Sequence, residues 1–447
     1  MRKLQAIFRT PDGRNCALTF VLICCLFGLS GAFSGMIDVL NKHFQASLKI
    51  SHAESGLVQA AWYGSYFMLA MPAGWLAAKR GYRTGIVVGL LLAAVGCLMF
   101  LPAVGLRASH DAVFAGFLLA LFIVGCGMTF LATISNPYTT VLGSPEAAVF
   151  RINLAQTCDA VGWMIGPIVM GSYVMSKTGA ANTSNSRIYL PYLVLAVIVA
   201  VLMLVFMVSP VPDIQAPDEH ENQGESVVQP LFKERHFMCA VGAQVLYVAA
   251  QTGIFSFFIN DVKDPGSSPA IPMWALHWVP AAMRYTQGHG WFITEYGASM
   301  MLSAAFGLFT FGRLCGSVLL KFLEAHRVLG AYAVVNIGLM ALVMLKLGWV
   351  SVMALMLSFF FMSIMYPTIF ALGIRGLGAR AKFASSFIVM AIVGGAVMPL
   401  VMGWVADETS MRIGFAVPLI CFVFIAGYAL LWRRLAMADV GPVGALT

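Results

Sequence analysis

Between residues 17 and 40 the chain carries a single charged side chain, Asp38, in the run Ser34-Gly35-Met36-Ile37-Asp38-Val39-Leu40. About 20 apolar residues are enough for a helix to cross a bilayer, and stretches of this kind return along the whole sequence. Apolar residues make up 60% of the 447 positions and charged ones only 10%. A soluble domain carries about 25% charged residues, so this pattern excludes an ordinary water-soluble fold. The mean hydropathy of +0.85 agrees. The net charge of +8 is read as a topological signal, with no nucleic-acid partner expected. The first stretch is too long for a signal-peptide core and has no convincing cleavage site, so no cleavable signal is expected.

Twelve spans fit the chain, six on each side of a polar break. Span 1 covers 17–40, span 4 111–142 and span 5 148–176; spans 10 and 11 cover 349–373 and 383–406. Ser51-His52-Ala53-Glu54 reads as a helix start, with a cap residue and an acid three places later. Lys79-Arg80-Gly81-Tyr82-Arg83 reads as a tight basic loop between spans 2 and 3. The acidic, proline-containing stretch 210–233 has nothing to bury and reads as a linker. The expected domains are a six-helix bundle over 1–209, the linker, and a second six-helix bundle over 234–447. The second bundle contains an extended loop, 261–291. Its tryptophans and tyrosine suit a partly helical segment at the membrane interface.

With the N-terminus in the cytoplasm, nine of the 27 Lys and Arg residues fall on the opposite side. That bias favours cytoplasmic termini and an even number of spans. The halves are weakly similar. Asn136-Pro137-Tyr138 opens a run ending at Gly143, with Gly162 further on; Tyr366-Pro367 opens a run ending at Gly373, with Gly394 further on. Two six-helix halves suit an alternating-access transporter with its site where the halves meet. A channel or a multi-span enzyme fits the same pattern. The nine cysteines form no Cys-x-x-Cys pair and read as small apolar residues, so no metal site or disulfide framework is expected.

Chemistry narrows to few residues. Asp38 and Asp159 are the acids placed inside spans, where an ionisable group is costly and marks a functional site by default. Either can accept a proton or compensate a cation. No histidine is expected inside a span, which leaves out a His relay. Arg151 and Arg313 read as guanidinium groups pinning helix ends to acids or carbonyls. Amides in or beside spans, namely Asn136, Asn153, Gln156, Gln244, Gln251 and Asn260, must find partners or line a wet cavity. With the aromatics Tyr63, Phe255 and Tyr366 they suit a neutral polyhydroxyl ligand. A dicarboxylate or nucleotide would need several embedded cations. Gly162, Gly166 and Pro167, and Gly394, Gly395 and Pro399, allow close packing or bending of helices. The chain has no Walker-type loop, which argues against a built-in ATPase.

The runs 136–143, 151–157, 361–370 and 385–395 resemble the major facilitator superfamily, and within it the fucose–galactose–glucose:proton symporter family. The resemblance covers almost the whole chain. It implies an all-α membrane protein with twelve helices in two pseudo-symmetric halves, and a transporter that is not an enzyme. It implies import of a small neutral sugar by cation symport, through a multi-pass protein of the bacterial inner membrane, monomeric and in contact with lipid. No cofactor is implied beyond the co-transported proton, with sodium or uncoupled passage as alternatives. The family's key span 1 acid falls on Asp38. The second acid that its L-fucose carriers hold in span 4, four places before the Asn-Pro pair, is Ala132 here, while span 5 carries Asp159. An acid shifted to the neighbouring helix accounts for both changes. The expected coupling residues are therefore Asp38 and Asp159. Asn136, Gln156, Gln251, Asn260, Tyr63, Phe255 and Tyr366 are expected to bind the sugar.

Overall fold

The computed structural model describes residues 8, 15–105, 110–143, 148–175, 177, 187–209, 233–264, 269–288, 290–320, 322–375, 377 and 381–444. The linker stretch lies largely outside them. The first helix, α1 (Ala17–Leu48), is followed by the short α2 (His52–Ser55) and by α3 (Leu57–Leu98), α4 (Phe100–Gly105), α5 (His110–Val141), α6 (Ala148–Val174) and α7 (Tyr189–Val208). After the linker come α8 (Arg235–Lys263) and a two-stranded hairpin, β1 (Arg284–Gln287) and β2 (Gly290–Ile293). Then follow α9 (Glu295–Leu319), α10 (Ala325–Met344), α11 (Trp349–Met362), α12 (Met365–Ile374), α13 (Ala381–Met390), α14 (Gly394–Glu408), α15 (Met411–Gly414) and α16 (Ala416–Gly444).

Ten segments among the described residues are long and apolar enough to cross a membrane. The two further expected spans, 2 and 5, fall on the first part of α3 and on α6, both helical. The basic loop expected between spans 2 and 3 is a single-residue break at Gly81, whose φ of 83° and ψ of 164° suit glycine alone. Arg83 then donates from its guanidinium to the carbonyls of Phe206 and Met207, fixing the end of α7. Span 10 is interrupted at Ser363-Ile364, between α11 and α12. Span 11 passes through a 3-10 turn, Ala391–Val393, before its glycine pair. Breaks of this kind are tolerated at membrane depth where neighbouring helices satisfy the freed backbone groups. Here the Tyr247 hydroxyl donates to the Met362 carbonyl at 2.8 Å.

The chain clusters into two compact units. The first comprises Met1–Lys49, Ala61–Ser176 and Ala180–Pro217; the second comprises Ile50–Ala60, Lys177–Gly179 and Asp218–Thr447. The first unit is centred on the packing of α1 against α6. A Cβ on Gly31 would run into the Asp159 carbonyl, and one on Gly166 into the backbone at Gly35. Small residues let membrane helices approach this closely, and their contacts rest on packing rather than on a hydrophobic drive.

The second unit has a core of phenylalanine. Phe255 stacks on Phe359 at 4.5 Å between centroids and meets Phe306 edge-on at 4.9 Å. Phe306 in turn meets Phe359 edge-on at 5.4 Å. This unit also holds α2, whose Ser51–Glu54 capping box forms as expected. The Asp407 carboxylate accepts from the backbone N–H groups of His52 and Ala53, at 3.0 and 2.7 Å. It also lies 2.6 Å from His52 Nδ1. Large apolar side chains exposed on many helices, such as Val208, Met71 and Leu430, are suited to lipid and not to water.

Candidate functional site

The glycine-lined crossing of α1 and α6 sets Asp38 and Asp159 in one unit. Asp38 is buried, 3% exposed, on the part of α1 where every residue from Phe33 to Asn41 is buried. Asp159 is half-buried on α6, with its own backbone carbonyl in the crossing. Tyr63, half-buried on α3, joins them: its phenol lies within electrostatic reach of Asp38, Tyr66 and Asp159. The Tyr63 and Tyr66 rings stand 6.2 Å apart. The two acids singled out from sequence therefore lie on the two crossing helices of one unit.

Asn136 and Gln156 form the neutral part of the same unit. Gln156 Nε2 donates to Asn136 Oδ1 at 3.1 Å, and Asn136 Nδ2 donates to the Ala132 carbonyl at 2.8 Å. The amide pair thus sits on the backbone at the position where the resemblance leads one to expect an acid. Arg151, fully buried, donates from Nε to the Thr139 carbonyl at 2.9 Å. This is the pinning role expected for it, at the closing turn of α5. Arg313 makes a longer contact of the same type, 3.5 Å from Nε to the Ser363 carbonyl.

The second unit holds Gln251, Asn260, Phe255 and Tyr366. Gln251 and Tyr366 are half-buried, and the Tyr366 ring lies 6.4 Å from that of Tyr247. Asn260 is 3% exposed on the last turn of α8. Phe255, expected as part of a stacking wall, lies among other rings. It is 1% exposed, stacked on Phe359 and edge-on to Phe306 and Phe309. Gln244 is fully buried, and its two amide atoms have no hydrogen-bond partner among the described residues. Among the described residues no group of His, Cys, Asp and Glu could hold a metal ion. An apolar groove of about 630 Å³ on the first unit, lined by Leu29, Met36, Val169 and their neighbours, includes none of the expected site residues.

Three features escaped the sequence reading. Asp261, placed in a loop there, is 3% exposed inside α8, beside the Lys346–Asp264 ion pair at 2.5 Å. The apolar run through Val262 was the signal that the helix continues past Asn260. His43 is 2% exposed within α1, which runs eight residues beyond the expected span end at Leu40. With His236, fully buried in α8, that places two buried histidines inside helices where none was expected. The His52–Asp407 contact joins positions 355 apart in the chain, and no local pattern announces it.

With this geometry in place, the comparison with known proteins decides the family: residues 20–392 match the Major Facilitator Superfamily. The chain belongs to the Major Facilitator Superfamily. Facilitator relatives match nearly its full length. The glucose/galactose transporter of Brucella abortus (strain 2308) is 30% identical over 427 residues, covering 95% of this chain and 96% of that protein. The L-fucose-proton symporter of Escherichia coli (strain K12) is 33% identical over 440 residues, covering 94% of each. Among solved structures, the facilitator FucP in the outward conformation is 32% identical, with a TM-score of 0.65 over 94% of this chain and 99% of that one. A bacterial Spinster homologue in an inward-facing conformation shares only the facilitator fold, at 13% identity and a TM-score of 0.69 over 96% of this chain and 99% of that one. The chain is thus a multi-pass membrane transporter of this fold.

Proposed function

We propose that this protein is a secondary transporter that imports a neutral hexose-type sugar by proton symport, through alternating access, across the inner membrane of a bacterium with both termini in the cytoplasm. The observation that carries the reading is the placement of Asp38 and Asp159 on α1 and α6, the two helices that cross through glycine within one unit, with the Tyr63 phenol in electrostatic range of both. Its support in kind comes from relatives named for glucose, galactose and L-fucose.

The division of labour follows from chemistry. An acid held away from water changes the cost of its surroundings by a full charge when it gains or loses one proton. Asp38, the more deeply buried of the two, is the primary proton carrier. Asp159 is its partner and takes the place of the acid absent at Ala132. Gln156 and Asn136 have donors and acceptors matched to sugar hydroxyls, as do Gln251 and Asn260 in the second unit. Tyr366 supplies a ring edge or face. Fixed cations are scarce among these residues, which suits an uncharged ligand.

Uptake into proteoliposomes tests the reading. Labelled L-fucose, D-glucose, D-galactose and N-acetylglucosamine are each offered under an imposed proton gradient and, separately, a sodium gradient. The reading expects at least one sugar to concentrate under the proton gradient. Accumulation under sodium alone replaces the proton by sodium. Passive equilibration under both makes the protein an uncoupled facilitator and refutes symport.

A further inference from the structure

The connection between α8 and α9 is a folded insert. Ile271 N–H donates to the Trp291 carbonyl at 2.6 Å, and Thr294 N–H to the Met283 carbonyl at 2.9 Å. The β1 and β2 strands pair antiparallel through a turn in which Gly288 has a φ of 59°. Arg284 lies over the Trp291 ring at 5.1 Å and donates to the Leu276 carbonyl.

This insert is fastened to the ends of three membrane helices. Lys263, which closes α8, donates to the Ile293 carbonyl at 2.9 Å and lies over the Tyr285 ring at 4.7 Å. Thr294 caps α9 by accepting from Gly297 N–H at 3.0 Å. Trp349, the first residue of α11, donates from its indole to the Ala270 carbonyl at 2.8 Å. Trp291, Tyr285 and Trp349 are therefore used in holding the insert in place.

Met273, Trp274 and Trp278 are not. They are 79%, 75% and 76% exposed, all within one six-residue turn. Exposure of this much aromatic and thioether surface to water is unfavourable and marks a contact surface. Two facts name the occupant. The turn begins three residues after Ala270, which is tied to the start of a membrane-crossing helix. The surface around that helix start is already apolar and outward-facing, with Leu345, Leu347 and Val350 each more than half exposed. Indoles at the end of a bilayer-crossing segment favour the layer where headgroups meet acyl chains, because the ring is apolar and its N–H still finds acceptors.

We infer that the turn from Met273 to Trp278 docks into the headgroup layer of the bilayer beside α8, α9 and α11, with Trp274 and Trp278 as its anchors.

The test uses the full chain in phosphatidylethanolamine–phosphatidylglycerol vesicles, with lipids brominated either near the glycerol or at the chain terminus. Tryptophan emission of the unaltered protein minus that of the Trp274→Phe/Trp278→Phe variant isolates the two indoles. That difference emission is expected to fall about twofold with bromine near the glycerol, less with bromine at the chain end, and little with aqueous iodide. Each single variant gives the same reading for one indole, so the test stands if the double variant does not fold. Difference emission untouched by both brominated lipids but quenched by iodide overturns the inference, because the turn then faces water. Emission insensitive to brominated lipid that shifts on addition of sugar also overturns it, in favour of a sugar-stacking platform.

Discussion

The two units bury different chemistry. The first packs α1 on α6 through glycine and holds two acids and a hydrogen-bonded amide pair. The second builds its centre from phenylalanine, Phe255, Phe306, Phe309 and Phe359, and keeps its amides on separate turns of α8. The lesson is that pseudo-symmetry of helices does not extend to charge. The first unit places its in-span acids, Asp38 and Asp159, on the two helices that cross through glycine, while the second sets its buried acid Asp261 at the end of α8 and fills its interior with rings that contribute stability.

The contrast can be broken at four places. The largest effect is expected for Asp38→Asn, which should abolish gradient-driven accumulation, at least about 100-fold, while sugar exchange persists. Normal accumulation by that variant would remove the first unit's claim to the coupling ion. Next, Phe255→Ala should cost about 3 kcal/mol of stability by opening a cavity among the rings. Thermal unfolding in detergent reads it, and the proton-to-sugar ratio of the folded fraction should stay unchanged. A changed ratio would mean that the second unit takes part in coupling. Asp159→Asn should lower accumulation about tenfold and flatten its pH dependence, since it removes the partner acid and leaves Asp38 in place. Unaltered pH dependence would reduce Asp159 to a structural acid. The smallest effect belongs to Tyr247→Phe, which loses the hydrogen bond to the Met362 carbonyl at the break in span 10 and should cost about 1 kcal/mol of stability. A large transport defect without that destabilisation would instead place the Tyr247 hydroxyl on the substrate.

Much of the first unit was legible in the sequence, because its signals are local. An acid inside an apolar run stands out, and Gly162 and Gly166 announced a close helix approach. What the residues could not announce was the partner of that approach: that Gly31 meets the Asp159 carbonyl depends on how α1 and α6 cross. The second unit was less legible. Helical spacing does not tell which ring faces are covered, so the packing of Phe255 on Phe359 could not be read from the chain. Asp261 looked like a loop residue because prolines and glycines soon follow it, yet the helix holds until Lys263. The β1–β2 hairpin carried a readable signal, the glycines at 288 and 290 between short aromatic runs, but strands of four residues are too short for alternation to assert itself.

Sugar-evoked proton influx, followed with a pH-sensitive dye in proteoliposomes, tests the central contrast most directly. Asp38→Asn and Gln251→Ala are compared at a saturating concentration of the transported sugar. The proton signal is expected to vanish in Asp38→Asn, and to survive in Gln251→Ala with only the half-saturating sugar concentration raised. A normal proton signal in Asp38→Asn, or its loss in Gln251→Ala with sugar transport intact, would contradict the assignment of coupling to the first unit.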